Sequence, residues 1–211
     1  MLPMELKNIC IERMKPFQCE GFVTSSGPIR PDIMFIGEAP GATEVEKNIS
    51  FSGRAGEKLM EFINYLGYSR KDVFITSTIR SRSFKIIEKK DSSGNLIQKK
   101  VNRTPTKNEI IAHAPILDYY IENVNPKIIV TLGNIAYKRV TGEREKLTDV
   151  HGIIKKRRVC ILKDFQSTQY VFGEKEYYVM STFHPASVFY NSKLLNEIYS
   201  DLDNLKKFLK K

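Results

Sequence analysis

Two carboxylates and one aromatic side chain stand close together in a loop that follows a buried strand. The stretch FIGEAPGATEVEKNISFSG, residues 35–53, begins with apolar residues and then carries Glu38, Glu44 and Phe51 among glycines and polar residues. A phosphate-binding loop would end in Gly-Lys-Ser/Thr, whose backbone N–H groups and lysine surround the anion. This loop has no such ending, and its two acids would repel a phosphate. The residues therefore favour acid–base chemistry by the carboxylates, with an ordinary loop carrying exposed glutamates as the alternative.

Further polar side chains follow other apolar runs of the sequence. Ser77 ends the run 72–78, a Gly-Asn pair ends the run 126–134, and His184 ends the run 176–185. In open α/β sheets, ligands bind at the carboxyl ends of the parallel strands. One crevice would then hold carboxylates, an aromatic face, a small hydroxyl and a histidine, which is a set suited to removing a base from DNA.

The spacing of apolar residues predicts the elements that position this set. We expect strands at 32–37, 72–78, 126–134 and 176–185, and helices at 53–67, 106–124 (kinked at Pro115), 135–140 and 193–209. Strands that alternate with helices predict a parallel sheet covered on both faces. The polar stretch from about 83 to 101 predicts an inserted hairpin turning at 93–95. With no linker or internal repeat visible, we expect one domain over residues 1–211.

Composition and charge limit the class of protein. The 211 residues are 41% hydrophobic and 27% charged, which is typical of a globular protein. No apolar run approaches the ~20 residues of a membrane helix, and no signal sequence is visible, so we expect a cytoplasmic protein without membrane association. The net charge of +10 favours a polyanionic partner. Its basic blocks lie at 85–100, 155–158 and 206–211, and the first two are expected in loops that contact nucleic acid.

The motifs GEAPG with Glu44, SFSGRAG, VFITS, NRTPT, IVTLG and TFHPAS occur in this order, and the sequence resembles the uracil-DNA glycosylase superfamily. It is most similar to family 4 of that superfamily, from about Asp32 to Leu205. The resemblance implies a three-layer α/β/α fold with a central four-stranded parallel sheet. It also implies a monofunctional DNA glycosylase that flips a nucleotide out and hydrolyses its base–deoxyribose bond.

The resemblance also implies roles for individual residues. His184 would donate to the departing base, Glu44 would hold the water, and Glu38 would line the site. Phe51 would stack on the base, with Ser77 at its hydrogen-bonding edge. Gly37 and Ala39 would contact the base, and Ser187 would contact DNA. Arg82 and Arg103 are expected at phosphates, with solvated arginines as the alternative. The basic block 155–158 adds Lys155 and Lys156 as DNA contacts, with a solvated face as the alternative. Val188 and Phe189 lie where the family carries a wedge that fills the gap left by the flipped base, although Phe189 could equally belong to the core.

The cysteines depart from the family pattern. Family 4 holds a four-iron four-sulfur cluster on four cysteines, whereas this chain has three cysteines in all. Two of the ligand positions are here Ser81 and His113, so a four-thiolate cluster is excluded. A zinc site on Cys10, Cys19 and His113 is the weaker alternative. We therefore expect no metal and no cofactor.

The second departure lies in the base pocket. Where the family reads the pyrimidine edge with asparagine, this chain has Ser77, which offers one rotating hydroxyl and leaves space. One alternative is that a neighbouring group replaces the amide, and the protein still removes uracil. The other is a larger pocket for a modified cytosine, for example in phage DNA, where base removal would be defensive. A catalytically inactive DNA-binding protein is the alternative of another class. In each case we expect a monomer whose partner is DNA.

Overall fold

The strands and helices expected from the apolar pattern are found near their predicted positions in a computed structural model that describes residues 2–92 and 94–210. The strands are β1 Cys19–Glu20, β2 Ile33–Gly37, β3 Phe74–Ser77, β4 Arg82–Lys90, β5 Leu96–Asn102, β6 Ile128–Leu132, β7 Lys155–Leu162 and β8 Tyr170–Thr182. The helices are α1 Met4–Met14, α2 Ala42–Lys47, α3 Arg54–Tyr65, α4 Lys107–Val124, α5 Asn134–Thr141, α6 Leu147–Val150 and α7 Leu194–Leu209. Short 3₁₀ helices cover 70–72 and 185–189.

The central sheet confirms the predicted parallel core and adds a strand to it. Within the described residues its order is β3-β2-β6-β8-β7, and the first four strands are parallel. Gly37 pairs with Ser77, and Leu132 pairs with Thr182, so the carboxyl ends of these strands meet at one edge of the sheet. The fifth strand, β7, runs antiparallel to β8. The prediction that residues 155–158 form a loop is therefore wrong, since they begin β7.

Helices cover both faces of this sheet, as expected for three layers. All residues of β2 are buried, because both faces of the strand are covered. Met34 and Ile36 pack with α1 and α4 on one face, while Ile33 and Phe35 pack with α3 and α7 on the other. Helix α4 begins at a capping box and continues through Pro115, so the proline does not end it. Every helix in the described part of the chain is too short or too polar to cross a bilayer.

A smaller sheet lies beside the carboxyl ends of the parallel strands. It consists of β1, β4 and β5, all antiparallel. Strands β4 and β5 form a hairpin over residues 82–102, and at its end the Asp91 N–H donates to the Asn95 carbonyl at 2.9 Å. The turn predicted at 93–95 includes Ser93, which lies outside the described residues.

Candidate active site

The loop after β2 places Glu38 where the sheet ends. The backbone there is fixed by β3, because the N–H groups of Thr78 and Ile79 donate to the Gly37 and Glu38 carbonyls at 2.8 and 3.2 Å. The Glu38 side chain is half-buried. Burial raises the pKa of its carboxyl, and a hydrogen bond from the Thr104 side chain opposes the rise. A carboxylate with a raised pKa is a stronger base at neutral pH.

Glu44 closes the same loop from helix α2. Its Oε2 accepts from the Gly41 N–H at 3.0 Å, and its Oε1 accepts from the Gly53 N–H at 2.9 Å. The first contact caps α2, and the second holds the residue that precedes α3. A carboxylate has about four acceptor positions, so two stay free to bind water. Glu44 therefore stabilises the loop through two backbone hydrogen bonds, and its carboxylate is held in a fixed orientation.

Phe51 lies in a backbone conformation that few side chains adopt. Its φ is +53°, in the left-handed region. Arg70 holds this turn, since its guanidinium donates to the carbonyls of Ser50 and Phe51. The ring occupies the space above Gly37, where an added Cβ would lie 2.5 Å from the Phe51 Cζ. Gly37 is therefore needed so that the aromatic ring can approach the sheet.

His184 lies beside Phe51, and the two rings stack with centroids 5.9 Å apart and planes at 29°. The Ala186 N–H donates to His184 Nδ1 at 3.2 Å, so the proton of the neutral imidazole is on Nε2. Burial lowers the pKa of His184 to about 4, and the negative charge of Glu44 opposes this shift. The neutral ring thus presents an Nε2–H donor at neutral pH.

A buried acid from α7 supports the strand that carries His184. Thr182 ends β8 and donates through its hydroxyl to Asp201 Oδ2 at 2.5 Å, and His151 Nδ1 lies 2.8 Å from Asp201 Oδ1. Burial raises the pKa of Asp201. Gly133, at φ +88°, passes so close that an added Cβ would lie 3.1 Å from the His184 Cβ. His151 and Asp201 were not predicted from the sequence, because 50 residues separate them in the chain.

Ser77 is buried at the end of β3, directly beside Gly37. Its side chain shares a face of the strand with Ile75, which belongs to the same apolar cluster as Phe51. On the opposite face, Arg80 is fully buried and donates to the Ser77 carbonyl and to Thr76 Oγ1. Burial lowers the pKa of Arg80 to about 10. The structure thus brings Ser77 together with Gly37, Ala39, Glu38, Glu44, Phe51 and His184 at one edge of the sheet.

The two arginines expected at phosphates are instead bound to carboxylates. Arg82 is nearly buried and its Nη1 lies 2.6 Å from Glu20 Oε1. Arg103 donates through both Nη atoms, at 2.8 Å each, to Glu109, which is fully buried. Glu109 also caps α4 through the Thr106 N–H. Both arginines therefore brace the hairpin and α4 through these ion pairs.

The remaining DNA-binding candidates lie at different distances from the site. Lys155 and Lys156 are exposed at the start of β7, opposite Val179 and Tyr178 of β8, and Lys156 lies 3.5 Å from Glu176. Val179 and Tyr178 pair in turn with the first residues of β6, so the two lysines lie three to four residues before the carboxyl end of β8. The Ser187 hydroxyl is buried and lacks a hydrogen-bond partner among the described residues. Tyr190, which the sequence analysis did not single out, is 91% exposed at the end of the same 3₁₀ helix.

Phe189, in the same 3₁₀ helix, is also exposed, with 42% of its surface accessible. The guanidinium of Arg54, from the start of α3, lies 4.6 Å from the centre of its ring. The alternative that Phe189 belongs to the core is therefore wrong. Phe189 and Tyr190 form an exposed aromatic pair next to His184.

The corner where family 4 holds its cluster is filled by protein side chains. The Ser81 hydroxyl lies 3.3 Å from His113 Nε2, and both residues are buried. Burial lowers the pKa of His113 to about 3 and raises the pKa of the Cys10 thiol to about 11. In residues 2–92 and 94–210, no three metal-ligating side chains come together in a metal-binding arrangement. A four-thiolate cluster does not fit these residues, and the zinc alternative on Cys10, Cys19 and His113 is not formed.

A cavity of about 760 Å³ lies away from these residues, between α4 and the β7–β8 pair. Pro115, Ile161 and Phe172 contribute to its walls. It contains none of the residues expected at the site, so we assign it no part in the chemistry.

Comparison with known proteins finds one family model and several curated relatives. The chain matches the family model of the uracil DNA glycosylase superfamily over residues 24–205. It is 33% identical over 189 residues to a type-4 uracil-DNA glycosylase of Sulfurisphaera tokodaii, which covers 87% of this chain and 73% of the relative. A type-4 uracil-DNA glycosylase of Saccharolobus solfataricus is 32% identical over 192 residues, covering 89% and 76%. One of Thermotoga maritima is 30% identical over 217 residues, covering 98% and 96%.

Proposed function

The chain belongs to the uracil-DNA glycosylase superfamily, and from that premise we propose that it hydrolyses the N-glycosidic bond of a pyrimidine flipped out of DNA, leaving an abasic site. It is a hydrolase of N-glycosyl bonds in DNA, and the names of its relatives support activity on uracil. The observation that carries the proposal is the stacking of His184 on Phe51 beside the two acids, at the carboxyl ends of the strands.

The geometry suits the charges that this reaction develops. When the bond breaks, the sugar becomes positive and the departing base becomes negative. The Nε2–H of His184 donates to the base oxygen, and a preorganised donor of this kind contributes about 3–4 kcal/mol. Phe51 offers its ring to the base, which offsets part of the few kcal/mol that flipping costs.

The two carboxylates have different roles next to the sugar. Glu44 is oriented by two backbone N–H groups, so we assign it the attacking water. Glu38 lines the site, where its negative charge stabilises the sugar cation. Glu44 takes the proton of this water as the new bond to the sugar forms.

The DNA itself is held by groups inside and outside this crevice. We propose that Lys155, Lys156 and the Ser187 hydroxyl contact phosphates, and that Phe189 or Tyr190 enters the gap left by the flipped nucleotide. The net charge of +10 supports binding to DNA. We further propose that the protein acts as a monomer in the cytoplasm. The free state of Cys10, Cys19 and Cys160 supports a reducing compartment.

Single-turnover cleavage of a uracil-containing duplex tests the assignment. His184→Ala and Glu44→Gln should each lower the rate by at least ~100-fold, because each removes one electrostatic or general-base contribution. Glu46→Gln, an exposed position on the same helix, is the matched control for Glu44. Thermal unfolding of each variant separates lost chemistry from a loosened loop. Near-normal rates in both folded variants would remove these residues from the mechanism.

Ser77 supports a second candidate, in which the base is a modified cytosine and removal defends against phage DNA. Ser77 is buried beside Gly37, and its side chain is smaller than the asparagine that the family carries there. A screen of duplexes carrying uracil, hypoxanthine or several modified cytosines, with abasic sites as the readout, decides between the candidates. If the pocket is enlarged, Ser77→Asn should exclude the bulky base. Efficient release of uracil by the wild type, with no activity on any bulky pyrimidine, would refute this second candidate.

A further inference from the structure

The hairpin of β4 and β5 is rooted in the candidate active site. Asn102, the last residue of β5, lies so near the catalytic loop that a Cβ added to Gly41 would be 3.1 Å from the Asn102 Nδ2. Two residues further on, the Thr104 side chain hydrogen-bonds Glu38. The hairpin therefore extends from the edge of the sheet where a flipped nucleotide would enter.

One face of the hairpin is bound to the body of the protein. Side chains alternate between the two faces of a strand, so Arg82, Phe84 and, across from them, Lys100 share a face. Arg82 and Lys100 both pair with Glu20 of β1, at 2.6 and 2.5 Å. The Lys100 ammonium also lies 4.6 Å from the centre of the Phe84 ring. The charges of Arg82 and Lys100 are therefore already compensated.

The other face carries free cations in a regular arrangement. Its cross-strand pairs are Lys85 with Val101, Lys99 with Ile87, and Lys89 with Ile97, so that each pair contains one lysine and one β-branched residue. The three lysines are exposed, and none has an ion-pair or hydrogen-bond partner among the residues that the structure describes. Rows on one face of a strand are ~7 Å apart. This distance equals the axial rise over about two successive phosphates of one strand of B-DNA.

These features fit a duplex better than a single strand. A two-stranded ribbon fits the major groove of B-DNA. Proteins that hold single strands combine a basic groove with aromatic side chains on which bases stack. Residues 85–101 contain lysines and aliphatic residues but no Phe, Tyr or Trp. The chemistry of the free face is thus directed to phosphates and not to unpaired bases.

We propose that the hairpin is a basic β-ribbon that binds the phosphates of duplex DNA next to the flipped nucleotide, through Lys85, Lys89 and Lys99. The proposal rests on the proposed function and adds its substrate class, which is double-stranded DNA. The body-facing side of the hairpin, braced by Arg82 and Glu20, sets the angle at which the ribbon leaves the site.

A salt titration of binding tests the ribbon. The variant Lys85→Gln, Lys89→Gln, Lys99→Gln is compared with a control of equal charge change, Lys71→Gln, Lys207→Gln, Lys210→Gln. The control lysines are exposed, and they lie towards the amino ends of the strands, away from the site. Binding is measured on an undamaged duplex and on its single strand, and circular dichroism verifies that both variants fold.

We expect the ribbon variant to flatten the plot of log K against log salt by about 2–3 on the duplex, since each lost phosphate contact contributes ~0.9. The control variant should change the slope on the duplex by less than one. On the single strand, the ribbon variant should also change the slope by less than one. An unchanged duplex slope, or equal losses on both DNAs, would overturn the proposal. Because the probe carries no target base, the result is independent of catalysis. Absence of base release by the wild type would instead count against the proposed function alone.

Discussion

Lowering the pH tests whether His184 acts as a neutral donor. Burial lowers the pKa of His184 from 6.5 to about 4. At pH 5.5 a histidine with the ordinary pKa would be about 10% neutral, whereas His184 with a pKa of about 4 is about 97% neutral. If the Nε2–H of the neutral ring is the donor, the chemical step should lose almost none of its rate to His184 titration between pH 7.5 and 5.5. An exposed histidine in the same role would cost about tenfold.

The assay is single-turnover base release from duplex DNA at saturating enzyme, measured from pH 8 to pH 4.5. Protonation of Glu38 can also lower the rate of base release at acid pH, because its pKa is raised and its charge is lost as the pH falls towards that pKa. Glu38→Gln separates the two groups. A loss of rate at acid pH that disappears in this variant is due to the Glu38 carboxylate. A tenfold fall centred near pH 6.5 that persists in Glu38→Gln, or a rate that rises on acidification, would refute the neutral donor.

Three further predictions follow from the packing. Gly37→Ala should displace the Phe51 ring, lower stability by about 1–3 kcal/mol and slow base release, whereas Gly173→Ala, where the added Cβ meets ordinary contacts, should be tolerated; urea unfolding and cleavage assays measure both. Tyr190→Ala should weaken binding to a duplex with an abasic site more than binding to intact duplex, which fluorescence anisotropy reports; equal losses would exclude a wedge. The pKa of His113 is lower in the folded state, so stability is complete above about pH 6.5 and falls on acidification; His113→Gln should reduce the loss between pH 7.5 and 5 by about 2 kcal/mol in urea unfolding.

The sequence predicted those parts of the fold and site that depend on neighbours in the chain. The apolar runs gave the parallel strands, and the pair Thr106–Glu109 gave the start of α4, because a capping box spans only three residues. The position of His184 just after β8, and of Phe51 between β2 and α3, followed from the rule that parallel strands end at one edge. Their stacking follows from the placement of the strands.

The sequence could not show which charged side chains pair with one another in the fold. Arg82 and Arg103 were expected at phosphates; Glu20, 62 residues before Arg82, pairs with the first, and buried Glu109, six residues after Arg103, pairs with the second. Strand β7 was missed because its first four residues are Lys and Arg, which hide the alternation of a strand. The charge of a side chain could be read from the sequence, whereas its compensation depends on the fold.

The basic start of β7 has a consequence for solubility that is separate from DNA binding. An edge strand exposes unpaired backbone groups to which a strand of another copy can add. In the second half of β7 this edge is occupied, since Arg139 donates to the Cys160 carbonyl and Asp118 accepts from the Leu162 N–H. The first half, from Lys155, has exposed cations, and two copies brought edge to edge there would repel each other. Replacing these lysines by apolar residues would therefore promote aggregation at concentrations where the wild type stays dispersed.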